Sequence, residues 1–305
     1  MNLRSHLVSV GVALASFAPA CGSSDSGTDP SAAGAGGQDA GPEVGTDAAG
    51  GSDASNGTPC GTFLCGPLEQ CFEDKLCSAK LVPVTGGYSI DATEVTRDQY
   101  NAWLGTDPDT AGQASFCAWN DAFAPDTANP EGGCSPTTMP PGSKGNLPIV
   151  CVDWCDAFAY CKAVGKRLCG KIGGGSNAFT DHANPAASQW FNACSSNGQN
   201  DFPYGDTYDG QTCNGSDKSG GTILPVGSLA GCQSSVAGFE GVYDLSGNVL
   251  EWEDSCDAAS AAKDFCRNRA GACFNTSIYL RCDHDGGNQR GSHDGGIGFR
   301  CCSDP

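Results

Sequence analysis

Cysteine is the residue type with the widest chemical scope in this chain, because thiolates bind soft metals, transfer electrons and form cross-links. The 305 residues include 20 cysteines, and none of them has the Cys-x-x-Cys spacing of thioredoxin-like redox sites and zinc ribbons. A cysteine content this high is typical of an oxidising compartment, where disulfides persist. We therefore expect most of these thiols to form disulfides, and the composition disfavours a cytosolic enzyme.

Four of the cysteines, at positions 60, 65, 71 and 77, fall close together in a small unit over residues 60–80. A segment this short cannot build an apolar core, so two local disulfides are its natural support. Three pairings are possible, and the sequence does not choose among them. Zinc is the alternative occupant, but the spacings match no zinc ribbon or zinc finger.

Histidine and aspartate recur near the end of the chain, where they could hold a metal ion. Residues 283–287 are Asp-His-Asp-Gly-Gly, and residues 293–296 are His-Asp-Gly-Gly. Asp-Gly pairs are foremost turn formers, which favours two tight turns over a metal site. The sequence contains no Gly-x-Ser-x-Gly elbow, no phosphate-binding loop and no His-Glu-x-x-His helix.

The cysteine, histidine and aspartate residues discussed above must be positioned by short helices. A capping box of Thr96 and Gln99 predicts a first helix. Asp153 can cap a second helix, which we expect to stop at Gly165, and Asn184 can cap a third. Each predicted helix carries aromatic residues at helical spacing, so one face of each should be buried.

Glycine content and charge narrow the class of protein. With 44 glycines and only 39% hydrophobic residues, residues 81–305 should form one domain of mostly irregular structure held by cross-links, with short strands at 82–84 and 88–90. A net charge of −19 would repel a phosphate backbone, which disfavours nucleic acid as a partner.

Residues 1–20 have the features of a secretory signal peptide: Arg4, an apolar stretch over 7–17, and the small-residue triplet at 18–20. The segment 18–21 also looks like a bacterial lipoprotein processing site, at which Cys21 would become the lipid-bearing N-terminus. Such sites usually carry Leu three residues before the cysteine, and this chain has Ala18. The alternative is ordinary cleavage after residue 20, which would release a soluble periplasmic or secreted protein.

Residues 21–59 have the composition of a tether. The stretch 22–59 is rich in glycine and acidic residues and lacks Lys, Arg and aromatic residues, so it cannot bury enough apolar surface to fold and should be disordered. No later segment approaches the roughly 18 apolar residues of a membrane-spanning helix. We therefore expect attachment to a membrane only through a lipid anchor at Cys21.

Seven segments, in order along the chain, resemble one family, the formylglycine-generating enzymes or sulfatase-modifying factors. The resemblance runs from about residue 82 to 302 and implies a single α+β domain, loop-rich, disulfide-bonded and related to C-type-lectin folds. The segments are Tyr-Ser-Ile-Asp-Ala-Thr-Glu-Val-Thr at 88–96, Pro-Ile-Val-Cys-Val-Asp-Trp at 148–154 continuing to 161, Gly-Lys-Arg-Leu at 165–168, Phe-Pro-Tyr-Gly at 202–205, Pro-Val-Gly-Ser at 225–228, Gly-Val-Tyr-Asp-Leu-Ser-Gly-Asn-Val-Leu-Glu-Trp at 241–252 and Gly-Phe-Arg-Cys at 298–301.

The resemblance implies two disulfides and a calcium site. The matching cysteines would pair Cys161 with Cys301 and Cys194 with Cys282. In the loop at 244–251, Asp244 and Glu251 would supply carboxylates, and Gly247 and Val249 backbone carbonyls, a hard-oxygen set suited to calcium. The alternative is that Asp244 and Asn248 satisfy turn backbone groups and Glu251 is simply exposed.

A second calcium site of the family would begin at Asn214 and Gly215. Its carboxylate is less clearly matched, because Asp217 is the nearest candidate and lies one position off register.

Active members of the family use copper(I) and oxygen to oxidise a sulfatase cysteine to formylglycine, and they hold copper with two cysteines five positions apart. Cys273 matches the first ligand or an aromatic position just before it. Five residues further on stands Ile278, beside Ser277, and neither is a thiol. The next cysteine, Cys282, is implied to be in a structural disulfide, so the two-thiolate site that copper(I) requires is not matched.

An odd number of cysteines remains in residues 81–305, so one of them must be unpaired if the others bond within the domain. Cys273 and Cys302 are the candidates.

Our first hypothesis is an exported, lipid-anchored protein whose domain is a non-catalytic binding or structural module, with an unknown ligand or protein partner at the cell surface. The alternative is a copper-dependent oxidase acting on a sulfatase, with Cys273 as one copper ligand.

Overall fold

The computed structural model describes residues 57–135 and 145–305. The predicted signal peptide, Cys21 and nearly all of the predicted tether lie outside the described residues. Within the part that is described, no helix is long and apolar enough to cross a membrane.

The small four-cysteine unit consists of two antiparallel hairpins. Their strands are β1 (Thr58–Cys60), β2 (Phe63–Cys65), β3 (Glu69–Phe72) and β4 (Leu76–Ala79). Of the three possible pairings, the structure has Cys60–Cys71 and Cys65–Cys77. The unit packs on the main domain, because Gln99 donates a side-chain hydrogen bond of 2.8 Å to Glu69 and Leu76 belongs to the main core.

The main domain contains two four-stranded sheets. Its strands are β5 (Leu81–Val84), β6 (Tyr88–Asp91), β7 (Arg167–Leu168), β8 (Leu250–Cys256), β9 (Phe265–Arg269), β10 (Gly286–Gln289), β11 (Ile297–Phe299) and β12 (Cys301–Ser303). One sheet has the order β5-β6-β12-β7 and is antiparallel, and the other has the order β10-β9-β8-β11, with β11 parallel to β8. β5 and β6 confirm the two predicted strands.

Four helices lie between the strands: α1 (Arg97–Leu104), α2 (Trp154–Ala163), α3 (Gln189–Cys194) and α4 (Ser216–Ser219). The capping box at Thr96 is confirmed, as is the Asp153 cap of α2. Gly165, at φ 70°, takes the left-handed conformation that ends the second helix.

The predicted start of the third helix is wrong. Its cap is Ser188, whose hydroxyl accepts a hydrogen bond from the Phe191 N–H at 3.0 Å. Asn184 instead closes a turn, since its side chain accepts from the Ala186 N–H at 3.1 Å. Asparagine favours turns as strongly as helix caps, and the local sequence does not distinguish the two.

The core is dominated by aromatic residues from α1, α2 and β11. Tyr100, Trp103, Tyr160 and Phe299 contact one another with ring centroids 5.1–6.2 Å apart, mostly edge to face. All four are buried, and full burial of a large apolar side chain contributes on the order of 1.5–3 kcal/mol. This cluster holds α1 and α2 against β11, the strand that precedes Arg300.

Nine disulfides join described cysteines to one another. Those of the main domain are Cys117–Cys155, Cys134–Cys151, Cys161–Cys301, Cys169–Cys302, Cys194–Cys282, Cys213–Cys232 and Cys256–Cys266. The two pairs implied by the family resemblance are among them. Because Cys302 is bonded to Cys169, the prediction that Cys302 could be the unpaired thiol is wrong.

We expect the Cys161–Cys301 disulfide to contribute more stability than Cys256–Cys266. The first pair is 140 residues apart and the second 10. In the chain-entropy model these loops correspond to about 5 and about 3 kcal/mol. Paired Cys→Ser variants, compared by denaturant unfolding, should show the larger loss for C161S/C301S. Equal losses, or a non-reduced peptide map that joins Cys161 elsewhere, would contradict this assignment.

Candidate functional site

A buried cluster of three carboxylates surrounds one guanidinium where the two sheets meet. Arg300 binds Glu251 through two hydrogen bonds of 2.7 Å, one to each carboxylate oxygen, and Trp190 donates a further bond of 2.8 Å to Glu251 Oε2. Glu94 and Asp244 lie beside this pair and are also buried. With every group ionised, these side chains would carry an excess of negative charge inside the protein.

The loop that carries Asp244 follows an irregular path that depends on left-handed residues. Asp244, Gly247 and Asn248 have φ values of 62°, 81° and 64°. A Cβ atom on Gly247 would lie 2.4 Å from the Asn214 carbonyl oxygen, so only glycine fits. The family-matched loop at 244–251 is therefore packed directly against the second family-matched loop, at Asn214.

Two asparagines connect the loops. Asn248 donates from its side chain to Glu94 Oε1 at 3.0 Å, and its side-chain oxygen accepts from Asn214 Nδ2 at 2.8 Å. Two oxygens in this network, Glu94 Oε2 and Asn214 Oδ1, are buried and accept no hydrogen bond from a described N–H or hydroxyl group, although Glu94 and Asp244 share a hydrogen bond when one of the two carboxyls is protonated. Both are oxygens, and a buried oxygen left in this state is energetically unfavourable unless a donor or cation approaches it.

Burial governs the protonation of the cluster. It raises the pKa of Asp244 to about 6, partly offset by the Gly227 N–H, which donates to Asp244 Oδ2 at 2.6 Å, and by Arg300. Burial, reinforced by the charge of Asp244, raises the pKa of Glu94 well above its usual range. The single guanidinium does not offset three carboxylates, so the cluster takes up protons or another cation.

These donors fit a hard cation such as calcium, because carboxylate, amide and carbonyl oxygens are its preferred ligands. Asp244 and the backbone of Gly247 and Val249 are in the loop as the resemblance implies. Glu251, however, is buried, and both of its carboxylate oxygens accept hydrogen bonds, from Arg300 and Trp190. Glu94, with its unpartnered oxygen, is the better placed second carboxylate.

The second implied calcium site is less complete. Asn214 and Gly215 are buried, but Asp217 is exposed and accepts a hydrogen bond from the Tyr208 hydroxyl at 3.0 Å. The structure therefore does not direct the Asp217 carboxylate into the loop interface that holds Asn214.

Cys273 is buried directly behind the loop at 244–251. Its backbone N–H donates to the Asn248 carbonyl at 3.0 Å, and it packs in a cluster with Val249 and Cys151. Cys273 is disulfide-bonded, and no described cysteine is a free thiol. Ile278, five positions on, is 63% exposed.

The Asp- and His-rich segment at 283–287 does not gather around a common point for a metal. Asp283 is bound to Arg281 at 2.8 Å, and Asp285 is paired with Arg267. His284 contacts the ring edge of Tyr279. These contacts favour the turn interpretation of the segment.

Sequence reasoning missed Glu94 and Arg300 as site residues. Both lie in segments quoted for the resemblance, but neither was assigned a role there. The available signal is a charged residue beside an apolar one in a segment of the resemblance: Glu94 precedes Val95, and Arg300 follows Phe299. A charged side chain is rarely fully buried unless it is paired with another polar group. Here the groups that pair with Glu94 and Arg300 come from distant parts of the chain.

A separate cleft lies beside α1 and α2. It has a volume of about 290 Å³ and is lined by Trp103, Phe123 and Phe158, with Asp109 and Lys162 among the polar residues. An apolar floor with a few polar groups at its edge is typical of small-molecule sites.

Three solved structures similar to this chain each cover 72% of it. CarF is 21% identical with a TM-score of 0.45, and the chain covers 86% of it. Variable protein 1 of Treponema denticola is 18% identical with a TM-score of 0.43 and 84% covered, and PvdO of Pseudomonas aeruginosa is 19% identical with a TM-score of 0.45 and 80% covered. No curated protein matches the chain.

The described residues form a disulfide-bonded, loop-rich α+β domain built around a buried carboxylate cluster. The family model of the sulfatase-modifying factor enzyme 1-like domain matches residues 43–305. The chain belongs to this family, which confirms both the resemblance and the fold class.

We expect calcium to stabilise the domain through the Asp244 loop. For a dissociation constant of about 0.1–1 mM, 1 mM calcium would add roughly 0.4–1.4 kcal/mol of stability. The rise in the thermal unfolding midpoint over an EDTA-treated sample should be larger at pH 7 than at pH 5, because calcium competes with the protons that the raised pKa of Asp244 retains. Differential scanning calorimetry measures this shift.

Asp244→Ala should abolish the calcium response. Asp217→Ala is the matched control, since that carboxylate is exposed, and it should leave the response intact. A midpoint that EDTA and calcium leave unchanged at both pH values would exclude the site.

Proposed function

We propose that this chain is an exported, lipid-anchored member of the family whose domain is a non-catalytic binding or structural module at the cell surface. The signal-like residues 1–20, Cys21 and the tether composition of residues 21–59 support export and anchoring. The disulfide content of the domain is compatible with an oxidising compartment.

One observation carries the non-catalytic part of the proposal: the position that should supply a second copper ligand holds no thiol. Five residues after Cys273 stands Ile278, with its side chain largely in solvent. The next cysteine, Cys282, is bonded to Cys194 with an S–S distance of 2.03 Å. Copper(I) requires soft ligands, and paired thiolates are the set that the active family members use. The residues around Cys273 do not fit that site.

The copper-dependent oxidase of a sulfatase cysteine remains the alternative function. In its favour, Cys273 matches the first copper ligand of the family or an aromatic position just before it, and it is buried against the loop at 244–251. This function would require Cys273 to be reduced and a second thiol to be released from a disulfide.

Calcium, in this proposal, is a structural ion. Asp244, Glu94 and the loop carbonyls of Gly247 and Val249 would hold it, and its charge would balance the carboxylates that Arg300 leaves uncompensated. The ion would then set the shape of the loop that lies over Cys273 and beside Asn214.

For a binding module, the cleft beside α1 and α2 is the candidate ligand site. Its aromatic floor, formed by Trp103, Phe123 and Phe158, offers apolar contact, and Lys162 offers a positive charge at the edge. The apolar floor, with Lys162 and Asp109 among the polar lining residues, favours a small ligand that combines an apolar part with polar groups.

Copper(I) titration distinguishes the two functions. We expect the purified protein, in competition with a chelator of known copper(I) affinity, to bind no stoichiometric copper, because no pair of thiols is available in residues 57–135 and 145–305. Cys273→Ser should behave like the wild type. Tight binding of one copper that Cys273→Ser abolishes would instead support the oxidase, and formylglycine formation in a Cys-x-Pro-x-Arg peptide would establish it.

Lipid attachment is tested by labelling with a fatty-acid analogue in a bacterial host. The full chain should incorporate label and fractionate with membranes, because Cys21 would receive the acyl chains. Cys21→Ser should lose both properties, whereas Ala18→Leu, which restores the usual residue three positions earlier, should keep them. An unlabelled wild-type protein in the soluble fraction would leave ordinary signal cleavage as the explanation.

A further inference from the structure

The N-terminus of α2 and the loop after β10 bring two carboxylates and an imidazole together, outside the site described above. His293 Nε2 lies 3.8 Å from Asp153 Oδ2 and 3.9 Å from Asp156 Oδ2. One ligand atom from each of the three residues lies within 4.8 Å of the others. Both aspartates are fully buried, and the His293 side chain is 23% exposed.

The capping box accounts for part of this arrangement but not for all of it. Asp153 Oδ1 accepts from the Asp156 N–H at 2.9 Å, and Asp156 Oδ2 accepts from the Asp153 N–H at 3.1 Å. Asp156 Oδ1 accepts from Asn120 at 2.8 Å. Asp153 Oδ2 is buried and accepts no hydrogen bond from any described residue, although it faces the imidazole of His293.

The backbone on both sides of His293 is fixed. Asn129 donates to the His293 carbonyl at 3.1 Å, the Cys151 N–H donates to the Asp294 carbonyl at 3.0 Å, and the Gly295 N–H donates to the Gly132 carbonyl at 2.7 Å. The imidazole is therefore held over the end of α2 by contacts that do not involve its own ring.

The two carboxylates lack a buried positive partner. Neither Asp153 nor Asp156 forms an ion pair with a Lys or Arg among residues 57–135 and 145–305, and the imidazole of His293 faces both carboxylates. Asp126, near His293, adds negative charge to the same surroundings. Two buried carboxylates in contact without a compensating charge are unfavourable.

We propose that Asp153, Asp156 and His293 form a zinc site. Three ligands at a tetrahedral zinc ion lie about 3.3–3.5 Å from one another, since the bonds are about 2.0–2.2 Å long. The two imidazole–carboxylate distances are 3.8 and 3.9 Å, so rotation of the three side chains on their fixed backbone has to bring the ligand atoms to that geometry. Water completes the coordination on the side where His293 is exposed.

The donor set selects this metal. An imidazole nitrogen among carboxylate oxygens suits zinc, whereas calcium prefers oxygen alone and copper(I) prefers sulfur. The positive end of the α2 dipole opposes a cation at this position. That dipole amounts to about half an elementary charge, much less than the charge of two carboxylates.

Zinc titration of the full chain tests the site. The protein is stripped with EDTA, returned to about 5 mM calcium so that oxygen-only sites are filled, and titrated with zinc against a chromophoric chelator. The wild type should bind one zinc ion in this assay. His293→Gln, which removes the imidazole, should weaken binding at least tenfold.

Asp153→Asn separates the metal site from the helix cap. Asparagine caps helices as well as aspartate does, so α2 and the thermal midpoint of the zinc-free protein should be retained while zinc affinity falls at least tenfold. His284→Gln is the matched control, a loop histidine outside the cluster, and it should bind zinc like the wild type.

Three results would overturn the proposal: no zinc binding by the wild type, unchanged affinity in both His293→Gln and Asp153→Asn, or loss of binding in His284→Gln alone. X-ray absorption of the zinc-loaded protein gives an independent readout. It should show nitrogen and oxygen neighbours that include one imidazole, and a sulfur neighbour would assign the zinc to cysteines instead.

Discussion

The buried ion pair of Arg300 and Glu251 is the contact on which the two sheets depend. Arg300 lies between β11 and β12, which belong to different sheets, and it binds the Glu251 side chain of β8 and the Asp91 carbonyl of β6. Removing one partner of such a pair leaves an uncompensated buried charge, which typically destabilises a protein by about 3–5 kcal/mol. The pair also sets the charge balance of its surroundings, because it leaves Glu94 and Asp244 without a guanidinium of their own.

The described cysteine sulfurs and the buried side-chain oxygens of the domain have different uses. The described thiols are used in cross-links that hold a glycine-rich chain together, and Cys282, the next cysteine after Cys273, serves one of them. The oxygens remain available: Glu94 and Asn214 each have a buried oxygen without a partner. The oxygen donors proposed here for a hard cation are therefore free of the cross-links, whereas the described thiols leave no second ligand for a soft metal.

Local signals allowed the helices to be predicted, whereas long-range contacts were out of reach of the sequence. The capping boxes at Thr96 and Asp153 involve residues three positions apart, and both were predicted. The start of α3 was misplaced because Asn184 could equally close a turn. Glu94 and Arg300 are some two hundred residues apart, so only the fold shows that they share one cluster. The resemblance named the calcium-type loop but could not reveal that Glu251 is committed to Arg300.

The adjacent cysteines at 301 and 302 have a consequence for the order in which the domain matures. Their partners, Cys161 and Cys169, stand more than 130 residues earlier in the chain, where other cysteines such as Cys155 are close by. The earlier cysteines can pair with one another before Cys301 and Cys302 are present. Thiol–disulfide exchange must then replace those bridges with the native ones. The recovery of native protein from the reduced chain should thus be limited by disulfide exchange rather than by the intrinsic stability of the finished domain.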